Sequence, residues 1–313
     1  MWTRDLEASL GDVRESLAAI QSELAELRRF RRRVALREWT ETRDALLPQA
    51  DRLSADAVRP HIIDAIARAD VRTEPTAHMV VENVLPPDFY RLLAAAIPPG
   101  ELFPDRDPVK QDFEMSALEQ APLLTQRVWR FFDEEVVASI LAPAVFERVR
   151  GAVVEHYAET GGMTFGTRAA AIGHRTFAGR IQLRRPGYHL GPHLDPKRVV
   201  VTGLLYFPRP GDTEAYGTQL FRVNRPFVAS GMKTFFPESV GLTCEVAHTI
   251  PYRPNTMLAF VNSKAAHGAT LPPGASLEER YTYQFYVKPI DGELKKLLRD
   301  LPADERSAWD EIL

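Results

Sequence analysis

Of the eight histidines in the chain, His193 alone has an acid two positions on, in His193-Leu194-Asp195. Gly187, Gly191, Pro192 and Pro196 surround the pair, so it is expected on a turn, and a strand-like run, VVVTGLLYF, follows at once. At the mouth of a strand, residues i and i+2 point the same way. An imidazole and a carboxylate on one side supply two faces of a metal site. The best third ligand is His267, in TMLAFVNSKAAHGAT, just after a strand that reads as buried. Two histidines and one carboxylate leave coordination positions open, the arrangement suited to non-haem Fe(II). His267 taken alone is equally readable as a core histidine, and His189 reads as a loop or supporting residue rather than a ligand. Thirteen residues after His267, Arg280 opens the strand RYTYQFYV. Alternation places Arg280, Thr282, Gln284 and Tyr286 on one face of it. An arginine on such an apolar strand is costly to bury unless it meets an anion, and a planar guanidinium suits a carboxylate.

These residues need a β scaffold, and the chain reads as α+β. His78–Val84 is expected as a strand and Phe89–Ile97 as a helix, 98–112 as a loop, and Leu118–Leu141 as a helix. Short runs bounded by Gly and Pro then follow: Arg180–Arg184, Val199–Phe207, Thr218–Val223, Thr256–Asn262 and Arg280–Lys288. Strands of this length and spacing suggest a sandwich, barrel or jelly roll. The expected division is a coiled-coil oligomerisation helix (1–38), a helical connector with breaks at Pro48 and Pro60 (39–74), a β domain (75–290) and a C-terminal helix (291–313).

The first segment has a pattern of its own. Leu10, Leu17, Leu24 and Arg31 fall at heptad position a, and Leu6, Val13, Ile20, Leu27 and Val34 at d. So narrow and strict a stripe points to a partner helix and hence a homo-oligomer. Leucine at a with β-branched residues at several d positions leans towards three or four strands, and Glu23 at g facing Arg28 at e favours a parallel arrangement.

The composition narrows the function. The 313 residues are 45% hydrophobic and 26% charged, values of a folded globular chain. A net charge of -3 disfavours nucleic acid as a partner, and the run Arg28–Arg33 reads as a solvated helix face because Phe30 is its only aromatic. The longest apolar stretch, around Val199–Phe207, is far short of the roughly 20 residues of a membrane span. The single cysteine, Cys244, excludes an internal disulfide and a cysteine-built metal site. With no secretory signal visible, a cytoplasmic setting is expected.

With the motif residues placed, segment 180–288 resembles the catalytic core of the 2-oxoglutarate- and Fe(II)-dependent dioxygenases, in particular the prolyl-hydroxylase-like branch. The likeness rests on His193 and Asp195, the distal His267, and Arg280 followed two positions later by Thr282. It extends to Gly217-Thr218-Gln219-Leu220, a Gly-rich strand start between the ligands, and to HMVVENVLPPDFY near residue 78. Prolyl hydroxylases proper usually carry lysine where this chain has Arg280. The resemblance implies a double-stranded β-helix (jelly-roll) fold and Fe(II) held by His193, Asp195 and His267. It also implies 2-oxoglutarate bound through Arg280 and Thr282, with ascorbate supporting activity in vitro. Such enzymes couple decarboxylation of 2-oxoglutarate to succinate and CO2 with oxidation of a C–H bond. Halogenating relatives lack the carboxylate ligand, so Asp195 favours hydroxylation, of a small molecule or a protein side chain. Arg184 and Tyr206 are candidates for the co-substrate pocket, as are Tyr188 and Gln182. The alternative is a non-catalytic β-helix binding module displayed on a coiled-coil oligomer.

Overall fold

The structure, a computed structural model, describes residues 2–104, 107–225 and 233–302, with the side chains of all of these except residues 2–12 and 160. The heptad segment is one helix, α1 (Trp2–Arg43), running five residues past the expected end of the coiled-coil segment. Helix α2 (Leu47–Ala50) starts beside Pro48, and α3 (Ala55–Arg68) runs through Pro60 rather than breaking there. A proline costs α3 one backbone hydrogen bond. Burial of Val58, Ile62, Ala65 and Ile66 along one face outweighs that loss.

Strand β1 (His78–Val81) and helix α4 (Pro87–Ala95) fall close to where the pattern put them. The expected loop at 98–112 instead ends in a strand, β2 (Lys110–Glu114). The expected long helix at Leu118–Leu141 is a short 3-10 turn, then α5 (Leu123–Arg130), then a π-helical stretch, Phe131–Leu141. Helix α6 (Ala142–Ala171) follows, kinked at Gly162 where φ is 74°. The remaining elements are β3 (His174–Arg184), β4 (His189–His193), β5 (Val201–Phe207), β6 (Gln219–Val223), β7 (Cys244–Thr249), β8 (Met257–Val261), β9 (Ala265–Thr270), β10 (Arg280–Pro289) and α7 (Asp291–Arg299). The expected C-terminal helix is present as α7, and its continuation over 303–313 lies outside the described residues. No helix among the described residues is long and apolar enough to cross a membrane.

The strands form two antiparallel sheets, one of six strands in the order β1-β8-β5-β10-β3-β2 and one of four in the order β4-β9-β6-β7. From β3 onwards the chain passes back and forth between them: β3, β5, β8 and β10 belong to the larger sheet, β4, β6, β7 and β9 to the smaller. Every strand pairing among the described residues is antiparallel, so the architecture is mixed helix and antiparallel sheet.

Helices cover one face of the larger sheet. Tyr281, Tyr283, Phe285 and Val287 of β10 share a core with Trp129, Phe132 and Val136, and the Tyr283 ring stands 5.0 Å from that of Phe132 and 5.6 Å from Trp129. Each fully buried side chain of this size contributes about 1.5–3 kcal/mol. Strand alternation then turns Arg280, Gln284 and Tyr286 to the opposite face, where they line a cavity between the sheets.

Three of the strands are weakly written in the sequence. Strand β9, AAHGAT, has almost no β-branched residue; its small side chains instead permit close approach. A Cβ on Gly268 would lie 2.6 Å from the Leu190 carbonyl oxygen of β4. Strand β4, expected as a turn, is held as a strand by this pairing. Strand β7 is an edge strand with mixed exposure.

Gly217, ahead of β6, shows the same use of space. A Cβ there would meet the Ile250 carbonyl oxygen at 1.5 Å. Backbone cannot yield as a flexible side chain would, so Gly217→Ala is expected to destabilise the protein by about 1–3 kcal/mol. A lowered denaturation midpoint in urea is the check; an unchanged midpoint would mean that the β6 entrance moves freely.

Candidate metal centre

The register of β4 on β9 sets His193 directly opposite His267. Their ring centroids are 4.1 Å apart. Asp195, two residues beyond His193, completes a buried cluster whose ligand atoms all lie within 4.8 Å of one another. It is the only such group of three or more His, Cys, Asp or Glu side chains among the described residues. The loop carrying Asp195 is clamped by Asn262. The Asn262 side chain accepts from the Asp195 amide (3.0 Å) and donates to the carbonyls of Asp195 (2.9 Å) and Val199 (3.0 Å).

Each ligand is presented in a form that suits a cation. His193 Nδ1 is 3.0 Å from the Gly191 carbonyl, which fixes that nitrogen as the donor and leaves Nε2 with its lone pair. His267 Nδ1 is buried with no hydrogen-bond partner, and its Nε2 stands 3.6 Å from Asp195 Oδ2. That separation is too long for a hydrogen bond, so neither atom is tied up by the other. Burial pushes the His267 imidazole down to about 3, helped by the neighbouring His193, and burial lowers His193 as well. Both rings are therefore neutral at ordinary pH, the state in which imidazole binds metal. The Asp195 carboxylate accepts from Thr202 Oγ1 at Oδ2 (2.7 Å) and from the Tyr286 hydroxyl at Oδ1 (3.0 Å). The residues present thus fit a divalent metal of the Fe(II) type, with two imidazoles and one carboxylate on one side of it.

In the sequence Tyr286 stands out only as a member of the Arg280 face, and Thr202 and Asn262 do not stand out as site residues. Arg180 Nη2 donates to the Tyr286 hydroxyl (2.9 Å) and Arg180 Nε to Gln284 Oε1 (2.8 Å), so the group that orients Asp195 is itself held. Partners of this kind typically account for 10–100-fold in metal affinity. Tyr286→Phe is accordingly expected to weaken divalent metal binding roughly 10-fold or more, measured by anaerobic titration with Mn(II) as a redox-inert stand-in. Full affinity in this variant would show that Thr202 alone suffices to orient the carboxylate.

The cluster opens into a cavity of about 300 Å³ between the sheets. Arg280 lines the same cavity and is 3% exposed. Its Nε donates to the Tyr216 carbonyl (2.7 Å) and Nη2 to Thr218 Oγ1 (3.4 Å). The rings of Tyr206 and Tyr252 lie 5.6 and 5.2 Å from its guanidinium carbon. No carboxylate among the described residues pairs with it. A buried guanidinium without a counter-ion is expensive, and this one sits where an anionic ligand entering the cavity would meet it.

The other sequence candidates are distributed differently. Arg184 lines the cavity, but its charge is already matched: Nη2 donates to Asp112 Oδ1 at 2.7 Å and Nη1 to the Gln111 carbonyl at 2.7 Å. Asp112 reaches it because β2 pairs with β3, a pairing hidden behind the loop-like composition of 98–112. Thr282 is fully buried and donates to Gln182 Oε1 (2.8 Å), within a ladder that ends on Gln284, and it does not line the cavity. Tyr206 is likewise sealed off, acting as a wall behind Arg280. Tyr188 and Gln182 do line the cavity. His189 is exposed on β4, 2.9 Å from Thr270 Oγ1, and takes no part in the cluster.

No family model and no curated protein matches the chain. Among solved structures, a prolyl-4-hydroxylase of Pseudomonas putida is 16% identical, covering 73% of this chain and 97% of its own at a TM-score of 0.36. A Trichoplax adhaerens prolyl hydroxylase, solved with a hypoxia inducible factor oxygen degradation domain peptide fragment, is 13% identical, covering 80% and 94% at 0.41. The epimerase SnoN, solved with Fe3+, alpha ketoglutarate and nogalamycin RO, is 13% identical, covering 75% and 85% at 0.39. At such TM-scores the assignment of activity rests on this chain's own site.

Proposed function

We propose that the chain is an Fe(II)- and 2-oxoglutarate-dependent oxygenase that hydroxylates an unactivated C–H bond, with the two sheets forming a double-stranded β-helix around the site. The observation that carries this reading is the shared cavity: two neutral imidazoles and a carboxylate converge on one side of it, and a buried arginine without a counter-ion stands on its wall. Iron held by His193, Asp195 and His267 would supply dioxygen activation coupled to oxidative decarboxylation of the 2-oxoacid, the hard chemistry of the reaction. The protein's own part is binding and exclusion. Arg280 takes the distal carboxylate of 2-oxoglutarate, and Thr218 and the Tyr216 carbonyl hold its guanidinium in place. Tyr206 and Tyr252 keep water from behind it, which strengthens the ionic contact. Asp195 stays oriented through Thr202 and Tyr286.

Succinate release under Fe(II), 2-oxoglutarate and ascorbate tests the reading, run against a panel of small molecules and peptides with product mass as the readout. The expected result is stimulated succinate release with one panel member and a product one oxygen atom heavier. Absence of any Fe(II)-dependent succinate across the panel and in its absence would contradict an oxygenase.

A further inference from the structure

From Val13 to Arg31 every residue of α1 is exposed. Val13, Leu17, Ile20, Leu24 and Leu27 are between 47% and 57% exposed, so the seam meets no other part of the described chain. Two features beyond the heptads say what covers it. The first is the distribution of charge along the helix. Residues 2–27 carry two arginines and six acids, whereas residues 28–37 carry six arginines and no acid. The second is the cleft at the base of α1, about 1220 Å³, between that helix and the β domain. Among the described residues seven arginines line it, five of them from α1 (Arg28, Arg29, Arg31, Arg32 and Arg43), against two acids, Glu101 and Glu279. Glu279 is already engaged by Arg185 and Arg209. Arg31 belongs both to the seam and to the cleft wall, so a helix following the seam towards Arg31 enters the cleft.

We propose that α1 pairs with α1 of a second copy of this chain in antiparallel orientation, placing the acidic half of each helix against the arginine-rich stretch and cleft of the other. Parallel strands would stack the arginines of 28–37 side by side in every copy, at a cost that rises with each strand. Antiparallel strands set them against Asp5, Glu7 and the neighbouring residues of the partner by sequence position. The apolar layers are matched in the same register: Leu17 lies opposite Ile20 of the other copy, Leu24 opposite Val13, and Leu27 opposite Leu10, with Arg31 opposite Leu6 at the end where the cleft begins. Each layer then mixes one a with one d residue, so the preference for three or four parallel strands read from the separate a and d sets does not apply. The single Glu23–Arg28 contact that favours parallel strands is set against Arg31, which at position a meets its own copy in every parallel pair, and against the like charge of the whole 28–37 stretch brought level in each copy.

The test uses the full chain. Sedimentation equilibrium is expected to give twice the chain mass, falling to the monomer mass in Leu17→Lys/Ile20→Lys with unchanged far-UV circular dichroism of the β domain. Orientation is read by disulfide trapping with Cys244 replaced by serine. In the antiparallel register two copies of residue 27 lie about 25 Å apart along the axis. Leu27→Cys alone should therefore stay uncrosslinked, and Leu10→Cys/Leu27→Cys should oxidise to a covalent dimer. A covalent dimer from Leu27→Cys alone, no crosslink in the double variant, or a wild-type mass of one, three or four chains would each overturn the proposal.

Discussion

Replacement of His267 by alanine is expected to abolish Fe(II)-dependent turnover while leaving the fold in place. The ring sits at a paired position of β9, flanked by Ala266 and Gly268, and makes no hydrogen bond through Nδ1 that the strand depends on. Its loss therefore removes a ligand more than a structural contact. Two ligands cannot hold the metal in a three-point facial arrangement, and the same holds for His193→Ala and Asp195→Ala. Asp195→Ala additionally leaves the Thr202 and Tyr286 hydroxyls without their acceptor, so its cost extends to stability, by about 1–3 kcal/mol for each buried group left unpaired. His189→Ala and His248→Ala serve as controls. His189 is exposed and bonded to Thr270, and the His248 ring faces that of His78 at 5.5 Å. Both variants should retain turnover. Normal activity in His267→Ala would remove β9 from the site and with it the metal assignment.

The second large effect belongs to Arg280. A charge-assisted bidentate contact is worth about 1.5–3 kcal/mol, so Arg280→Ala should raise KM for 2-oxoglutarate roughly 10- to 150-fold with a much smaller change in folding. The structure sharpens the expectation, because Arg184, the other buried arginine on the cavity wall, is neutralised by Asp112 and is poorly placed to substitute. Arg280→Lys should be milder, since a lysine keeps the charge and loses only the planar fork. An unchanged dependence on 2-oxoglutarate in Arg280→Ala, together with a raised KM in Arg184→Ala, would transfer the carboxylate contact to Arg184.

The ligand set and Arg280 were legible because each is a residue type out of place. A histidine and an aspartate share one side of a turn, a lone histidine follows a buried strand, and an arginine opens an apolar one. The register that brings them together was not legible. It depends on β9, whose Ala and Gly residues carry no strand propensity and act through the space they leave for β4. Arg184 does line the cavity, but the ion pair that matches its charge is hidden in the sequence for a related reason. Its partner Asp112 is 72 positions away, in a segment whose prolines and aspartates look like a loop until β2 pairs with β3. Thr282 lies on the face that alternation assigns, yet its hydroxyl is taken by Gln182 from the adjacent strand, and only a pairing map shows that. Thr202, Asn262 and Tyr286 orient Asp195 from three different strands or their ends; a polar residue inside an otherwise apolar strand was the one available signal, visible at Thr202 in VVVTGLLYF. In the N-terminal helix the converse holds. The heptads are plain in the sequence, whereas the cleft that the arginines of 28–32 line is visible only in the fold.

The central claim is that one cavity binds Fe(II) and 2-oxoglutarate together, and anaerobic visible spectroscopy reads that state without any knowledge of the substrate. A 2-oxoacid chelated to Fe(II) gives a metal-to-ligand charge-transfer absorption that neither component gives alone. Adding Fe(II) and 2-oxoglutarate to the anaerobic protein should produce this band, saturating at one equivalent of iron per chain. The band should be absent in His267→Ala and should need far more 2-oxoglutarate in Arg280→Ala. No band in the wild-type protein, or an equal band in His267→Ala, would contradict the account.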